Sequence, residues 1–419
     1  MTPSILWLAR TLPLPLNAGD RIYSAHLAGA VARQGAHVVF LGLQNPDDTA
    51  GSIADLEPRV RWTFVPGAPN PPLISLASRL PMVGARFSTR AYRDAIAREL
   101  RQTDFEAVVL DQYGMSWAIS HIRKVARRPP ILIHVSHDFE TRVTDQIARN
   151  FAGDPIRQFL LKRNAGKTAV AETDLARSSR LVVTLTEEDR NSFAEINPSL
   201  RCVVLPPGHA GRRAPPRVIG DTVPRRAVIV GSFSWIAKQI NLERMLQAAQ
   251  DIFPPTSIEL HVVGVIPEPL LSRLRERFPW VEFRGFVDDL GEELRHARVA
   301  LVPEEIGGGF KLKILDYIFA RVPVAAVAPA LGGIPVRLKD LFLIEDDVAA
   351  LLQTVAETID DVDCLNRMQT AAFDIADGLF DWDINGQRLL EGLRQITREI
   401  SPTEPNNVQT ARTVPAQSV

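Results

Sequence analysis

Three successive glycines, Gly307, Gly308 and Gly309, are followed closely by Phe310, Lys311, Lys313 and Asp316 in a run with helical character starting at about Phe310. Glycines ahead of a helix let the backbone come close to an anion, and the free N–H groups and positive dipole end of the helix attract it. Lysines in a first turn oppose that dipole in an isolated helix, so Lys311 and Lys313 make better sense beside a bound anion. Asp316, one to two turns along, offers oxygens to ribose hydroxyls while a diphosphate rests on the glycines. The bland alternative is a glycine turn bordered by surface lysines. Glu304 and Glu305 occupy the turn just before the glycines. A second polar cluster, His137, Asp138 and Glu140 in SHDFETR (136–142), follows an apolar run, and Asp111 ends another. His137, Asp138 and Glu305 are the candidate catalytic groups, each with the competing reading of an ordinary loop residue.

These residues require a sheet that ends where they begin. SILWL (4–8), a Pro/Gly loop (13–19), a helical run (21–34) ending at Gly35, and AHVVFLGL (36–43) spell strand, loop, helix, strand. That order implies a parallel sheet covered on both faces. Further strands are expected at 107–110, 131–135, 181–185 and 202–205, with a long helix at 155–177. Residues 206–226 lose periodicity and hold five prolines and five arginines, which reads as a linker with solvated arginines. The alternation then restarts: strands at 226–231, 258–264, 281–285, 298–303 and 322–328, helices at 241–250, 267–278, 289–297 and 311–321. Helical character also covers 348–376 and 386–399, and the polar tail 401–419 is expected to be disordered. The fold class is therefore α/β, with two Rossmann-like doubly wound domains facing each other across a cleft. The expected division is 1–210, a linker at 211–226, a second domain at 227–380 and a closing helix at 381–400. Ligands of such sheets lie at the carboxyl ends of the strands, which locates a site without naming a reaction.

GGGFKLKILDYIFARVPVAA (307–326) resembles the donor-binding motif of GT-B glycosyltransferases close to family 4, which often read Gly-x-Gly-x-Arg/Lys-Leu-Lys-Ile-Leu-Glu-Ala and then Gly-x-Pro-Val-Val. Gly307, Gly309, Lys311, Leu312, Lys313, Ile314 and Leu315 fit that pattern. Asp316 stands for the ribose-binding glutamate, Arg321 replaces the later glycine, and Gly308 stands where the first glutamate of the family's pair would be. Glu304 or Glu305 is the substitute at hand. VGSFSWIAKQINL (230–242) resembles the opening of the donor domain, with Lys238 loosely matching its lysine and Ser232 in place of its arginine. GFVDDLGEELRHARVALVP (285–303) resembles the base pocket, where the backbone of 286–290 would face the nucleobase. Gly19 matches the glycine that lets the first loop approach donor phosphates and acceptor, and LFDWDINGQRLL (379–390) resembles the closing helix. The resemblance implies a glycosyltransferase that uses a nucleotide-sugar donor as substrate, a saccharide or lipid-linked acceptor and no cofactor. By the same resemblance it is metal-independent and retains anomeric configuration, with the departing phosphate as base. The alternatives are a nucleotide-sugar epimerase of this architecture and a non-catalytic relative, the latter suggested by Gly308 and Ser232.

With a net charge of −1 over 419 residues, 23% of them charged, no global basic field favours nucleic acid or an anionic membrane. Cys202 and Cys364 are the only cysteines and have no metal-type spacing, which argues against a disulfide scaffold or zinc site. The two Asp-x-Asp triplets, 361/363 and 381/383, fall in or beside the helical region near the end, so no metal is expected in the cleft. No apolar run is long enough to span a bilayer, and the chain reads as cytoplasmic. Arg79, Arg86 and Arg90, in or just after the apolar stretch 73–82, are candidates for peripheral contact with lipid headgroups from a surface helix.

Overall fold

The computed structural model describes residues 2–16, 18–44, 53–151 and 153–400. The expected disordered tail lies outside them. The first sheet contains β1 (Ser4–Thr11), β2 (His37–Leu43), β3 (Val60–Val65), β4 (Ala107–Asp111), β5 (Ile131–Ser136), β6 (Leu181–Thr184) and β7 (Arg201–Val204). All pairings are parallel, in the order β3-β2-β1-β4-β5-β6-β7. The second sheet contains β8 (Arg226–Val230), β9 (Glu259–Val263), β10 (Val281–Gly285), β11 (Val299–Val302), β12 (Val324–Val327) and β13 (Leu343–Glu345). It is also parallel, in the order β10-β9-β8-β11-β12-β13. Chain order reverses at β1/β4 in one sheet and at β8/β11 in the other. These are the points where a doubly wound sheet opens a crevice for ligand.

Both faces of each sheet are covered, which explains the unbroken apolar runs. Along β1, Ile5, Trp7 and Ala9 enter one core while Leu6 and Leu8 enter the other. The last helix, Trp382–Ile400, returns to the first domain and packs on the Gly19–Arg33 helix. Asn385 Nδ2 donates to the Pro206 carbonyl at 2.6 Å, Arg33 pairs with Asp383 at 2.7 Å, and the Trp382 ring meets Tyr23 edge-on. A Cβ on Gly386 would lie 2.6 Å from the Ala30 backbone, so only glycine allows this approach.

Several expectations need correction. β3 was not expected, because VRWTFV is an edge strand whose middle is only partly buried. The helix expected from 241 starts at Ile236, which puts Lys238 in its first turn. The helix expected from about Phe310 is Lys313–Phe319, since Gly309 takes φ +64° and holds the chain out of the helix until Leu312. The stretch 348–376 is two helices, restarted by the Asp361 side chain accepting from the Cys364 amide. The stretch 73–82 is no single surface helix: short helices Ile74–Ala77 and Met82–Phe87 are separated by a non-helical break from Ser78 to Pro81. Four of the five linker arginines are held rather than solvated, while Arg212 is exposed. Arg217 donates to the carbonyls of Leu294, Arg295 and Ala297, Arg213 and Arg225 pair with Asp377 and Asp360, and Arg226 pairs with Glu259.

Candidate active site

On the second domain, β11 ends at Val302 and the chain turns through Glu304 and Glu305. Asn241 then grips Ile306 on both sides: its amide donates to the Ile306 carbonyl at 2.7 Å, and its carbonyl accepts the Ile306 N–H at 3.0 Å. This fixes the start of the glycine triplet. Gly307 has φ +134° and Gly309 φ +64°, a region that disfavours any side chain. The triplet lies against the first domain. A Cβ on Gly309 would stand 2.2 Å from Asp138 Oδ1 and 2.5 Å from the His137 carbonyl, and one on Gly308 would stand 3.1 Å from Val143. The Gly307 amide donates to Gln146 Oε1 at 3.2 Å. Glycine is thus demanded here first by the approach of the two domains. Phe310 is buried beyond the loop, its ring edge-on to Phe380.

Cationic groups gather beside this loop. Among the described residues no acceptor receives the amides of 308–313. Lys311 donates to the Gly308 carbonyl, and Lys313 forms an ion pair with Glu304 in which both side chains are nearly buried. The other Glu304 oxygen, Oε2, is buried with no partner among the described residues. Lys238 is half-buried and makes no hydrogen bond or ion pair with a described residue. Burial lowers the affinity of Lys238 and Lys313 for their protons, and Glu304 only partly restores it. Glu305 is directed elsewhere: it accepts from the Val348 amide at 3.2 Å and faces Arg244 at 3.5 Å. Of the two adjacent glutamates, the structure brings Glu304 to the lysines. Glu305, expected from the sequence to be catalytic, instead anchors the helix that begins at Val348. Asp316 projects from the first turn of the Lys313–Phe319 helix with His209 Nδ1 3.9 Å away. Desolvation lifts the Asp316 carboxyl to about 7 and depresses His209 to about 4, so His209 is neutral at pH 7.

On the first domain, β4 and β5 deliver Asp111 and His137. Asp111 is buried; Oδ2 accepts from Trp7 Nε1 at 2.7 Å, and Oδ1 lies 2.7 Å from His137 Nε2. Burial works against a charged His137, but Asp111, joined by Asp20 and Asp138, outweighs it and the imidazole is raised above its ordinary value. The next residue after Asp111, Gln112, is held at φ +70°, a strained backbone beside the switch point. Arg10, from β1, grips Asp20 at 2.6 Å, and these two with Gln112 and Asp111 line a small crevice. Gly19 begins the adjacent helix, and a Cβ there would lie 3.0 Å from Leu312 of the other domain. Asp138 is raised to about 6 by burial, with Lys311 pulling the other way. Glu140 is raised well above its ordinary value, first by burial and then by Asp138. The helix they introduce, Glu140–Asn150, is capped from afar: Glu172 accepts the amides of Glu140 and Thr141, each at 2.7 Å. Sequence reading missed Asp20, Arg10, Asn241 and Glu172. The Gly-Asp-Arg triplet at 19–21, opening a helix after the first strand, was the one available signal.

The triplet, the lysines and the His137–Asp111 pair thus meet where two parallel-sheet domains face each other, the architecture of a GT-B transferase. Residues 19–208 match the family model of the glycosyl transferase 4-like domain, and residues 224–361 match that of glycosyl transferases group 1. The chain belongs to the GT-B glycosyltransferases of this group 1, family 4-like kind. No curated protein matches it. Among solved structures it is similar to sucrose-phosphate synthase from Thermosynechococcus elongatus, with TM-score 0.70 and 15% identity over 95% of this chain and 100% of that one. It is also similar to HepE from Anabaena, solved with UDP and glucose, at TM-score 0.65 and 14% identity over 94% and 100% of the two chains. A third is WaaG, a glycosyltransferase involved in lipopolysaccharide biosynthesis, at TM-score 0.66 and 16% identity over 92% and 98%. At these identities the likeness establishes the fold.

Proposed function

We propose that this glycosyltransferase takes a sugar from a nucleoside-diphosphate sugar and joins it to a saccharide or lipid-linked acceptor, as in polysaccharide or glycolipid synthesis. The observation that carries this is the convergence of Lys238, Lys311, Lys313 and the free amides of 308–313 at the carboxyl ends of β8 and β11. Cations and N–H groups so placed neutralise a diphosphate, most of all when it departs. The similar HepE structures hold UDP or UDP-glucose. Exposed Trp235, Val265 and Phe286, in the loops after β8, β9 and β10, offer an apolar edge for the base. Asp316 takes the ribose hydroxyls, and His137, held by Asp111, faces the sugar.

The reaction is metal-independent in this reading, because lysines and amides meet the leaving-group charge, and it retains configuration. The acceptor oxygen bonds to the anomeric carbon on the face that the diphosphate leaves. The bond from that carbon to the diphosphate oxygen breaks with its electron pair, and that oxygen takes the acceptor proton. The crevice of Arg10, Asp20 and Gln112 receives the acceptor.

A thermal-shift panel with UDP, GDP, ADP, CMP and their sugar conjugates tests the donor site. A ligand at ~100 times its dissociation constant adds ~2.7 kcal/mol. One diphosphate is expected to stabilise the protein, and Asp316→Ala to abolish the shift. If no nucleotide shifts the parent, or if Asp316→Ala and Lys313→Ala both leave donor turnover unchanged, the reading fails.

A further inference from the structure

Most exposed large apolar side chains of the first domain gather in two segments. Leu73 (74% exposed), Ile74, Leu76 and Met82 belong to the short-helix region, and Ile156 (70%), Phe159 (63%), Leu160 and Val170 to the Pro155–Ser178 helix. The segments touch. Arg163 donates to the Leu76 carbonyl at 2.9 Å, Lys167 to the Ser75 carbonyl at 2.5 Å, and the Met82 amide to Asn164 at 2.7 Å. Ile156, Phe159, Arg163 and Val170 follow one another at helical spacing along the outward stripe. The opposite side of the helix is satisfied, with Leu161 packed on the interdomain cluster of Val143, Ile147, Ala237 and Ile306.

Charge on this surface is one-sided. Residues 155–171 contain Arg157, Lys162, Arg163 and Lys167 and no acid, and residues 71–82 contain Arg79 and no acid, whereas Arg59, Arg61 and Arg90 beyond that segment are paired with Glu57, Glu99 and Asp94. The chain as a whole carries −1, so the bias is local. Continuous exposed apolar area marks a contact surface rather than ordinary exterior. Apolar side chains flanked by cations, with no acid between them, match the boundary of an anionic bilayer, where the former enter the acyl region and the latter meet headgroups. No helix among the described residues is long and apolar enough to cross a membrane.

We propose that residues 71–82 and the outward stripe of the Pro155–Ser178 helix dock this protein on an anionic lipid surface. The docked face runs into the first-domain wall of the cleft. From its edge, the Met82–Phe87 helix brings Gly84 against the Gly114 carbonyl and places the Phe87 ring 6.0 Å from the Arg10 guanidinium. Arg10 holds Asp20 in the proposed acceptor crevice. On the transferase reading above, docking sets the acceptor side of the cleft at the lipid and fits an acceptor carried on lipid.

The test is flotation of the full chain with vesicles of phosphatidylcholine alone and of phosphatidylcholine mixed with phosphatidylglycerol. The chain floats with the anionic vesicles and far less with the neutral ones. Ile156→Ser combined with Phe159→Ser lowers the bound fraction at least about tenfold, because both apolar anchors are gone. Arg157→Gln with Lys162→Gln lowers it by roughly fivefold per cation and flattens its salt dependence. Unchanged melting temperatures confirm that the variants fold. Equal binding to both vesicles, no binding to either, or serine variants that bind like the parent overturn the proposal. A parent dimer that the serine pair converts to monomer also overturns it, assigning the face to a second copy. Nucleotide-induced thermal shifts without vesicles report separately on the donor site, so loss of one result leaves the other standing.

Discussion

His137 Nε2 lies 2.7 Å from Asp111 Oδ1, and the second oxygen of the same carboxylate is held by Trp7 Nε1, also at 2.7 Å. The carboxylate is locked from two sides, so it fixes both the ring and its charge. Since His137 is raised, it keeps its proton above the ordinary histidine range, and its stabilising contribution is complete below about 6.5 and lost as pH rises through the raised value. His137→Ala, which removes a charged hydrogen-bond donor facing the sugar, is expected to lower turnover at least about 100-fold. Asp111→Asn is expected to move the alkaline fall of the rate to lower pH while leaving nucleotide affinity nearly unchanged. An alkaline limb that stays where it was in Asp111→Asn would remove His137 from the reaction.

His134 lies within β5, three residues before His137, which follows the end of that strand, but it faces the core and not the cleft. It is fully buried, its Nδ1 is 3.0 Å from the Leu110 carbonyl, and its Nε2 has no partner among the described residues. Burial depresses it to about 4. A base depressed on folding binds fewer protons than the unfolded chain, so stability falls as pH drops through the window from about 6.5 to about 4. Between pH 7 and pH 5 the loss is about 2 kcal/mol. Denaturant titration of the parent and His134→Gln at both pH values measures it; equal pH dependence in the two proteins contradicts the assignment.

The strands that carry these residues were legible because a strand buried on both faces is an unbroken apolar run, as in SILWL and AHVVFLGL. β3 was not, because an edge strand half-facing solvent has no such run. The choice between Glu304 and Glu305 was beyond reach for another reason. Adjacent residues point apart, and their partners, Lys313 on one side and Arg244 with Val348 on the other, are brought together only by the fold. The linker failed similarly: Arg217 reaches carbonyls at 294, 295 and 297, contacts that no local pattern encodes.

Gly309 and Gly35 separate backbone strain from domain contact. Both have positive φ, +64° and +92°, but a Cβ on Gly35 meets nothing within 4 Å while one on Gly309 collides with Asp138 and His137. Gly35→Ala is expected to cost about 1–2 kcal/mol and leave activity intact. Gly309→Ala adds an overpacking cost of about 1–3 kcal/mol and abolishes turnover by forcing the domains apart. Melting curves and turnover of the two variants decide it; equal effects would mean that the domain contact contributes nothing.

Glu304 gives the most discriminating test of the cationic loop. Its pairing with Lys313 holds that lysine while Oε2 stays unpartnered, so a bound diphosphate would compete for the same cation. Breaking a buried pair from one side costs about 3–5 kcal/mol because the remaining charge is left alone. Lys313→Met and Glu304→Gln should therefore both lower the melting temperature of the free protein. With nucleotide added they diverge. Lys313→Met has lost a phosphate contact and shows a smaller ligand-induced shift than the parent. Glu304→Gln leaves Lys313 free for the anion and shows a larger shift than the parent, recovering part of its lost stability. If both variants respond to the nucleotide as the parent does, Lys313 is structural and the diphosphate lies elsewhere in the cleft.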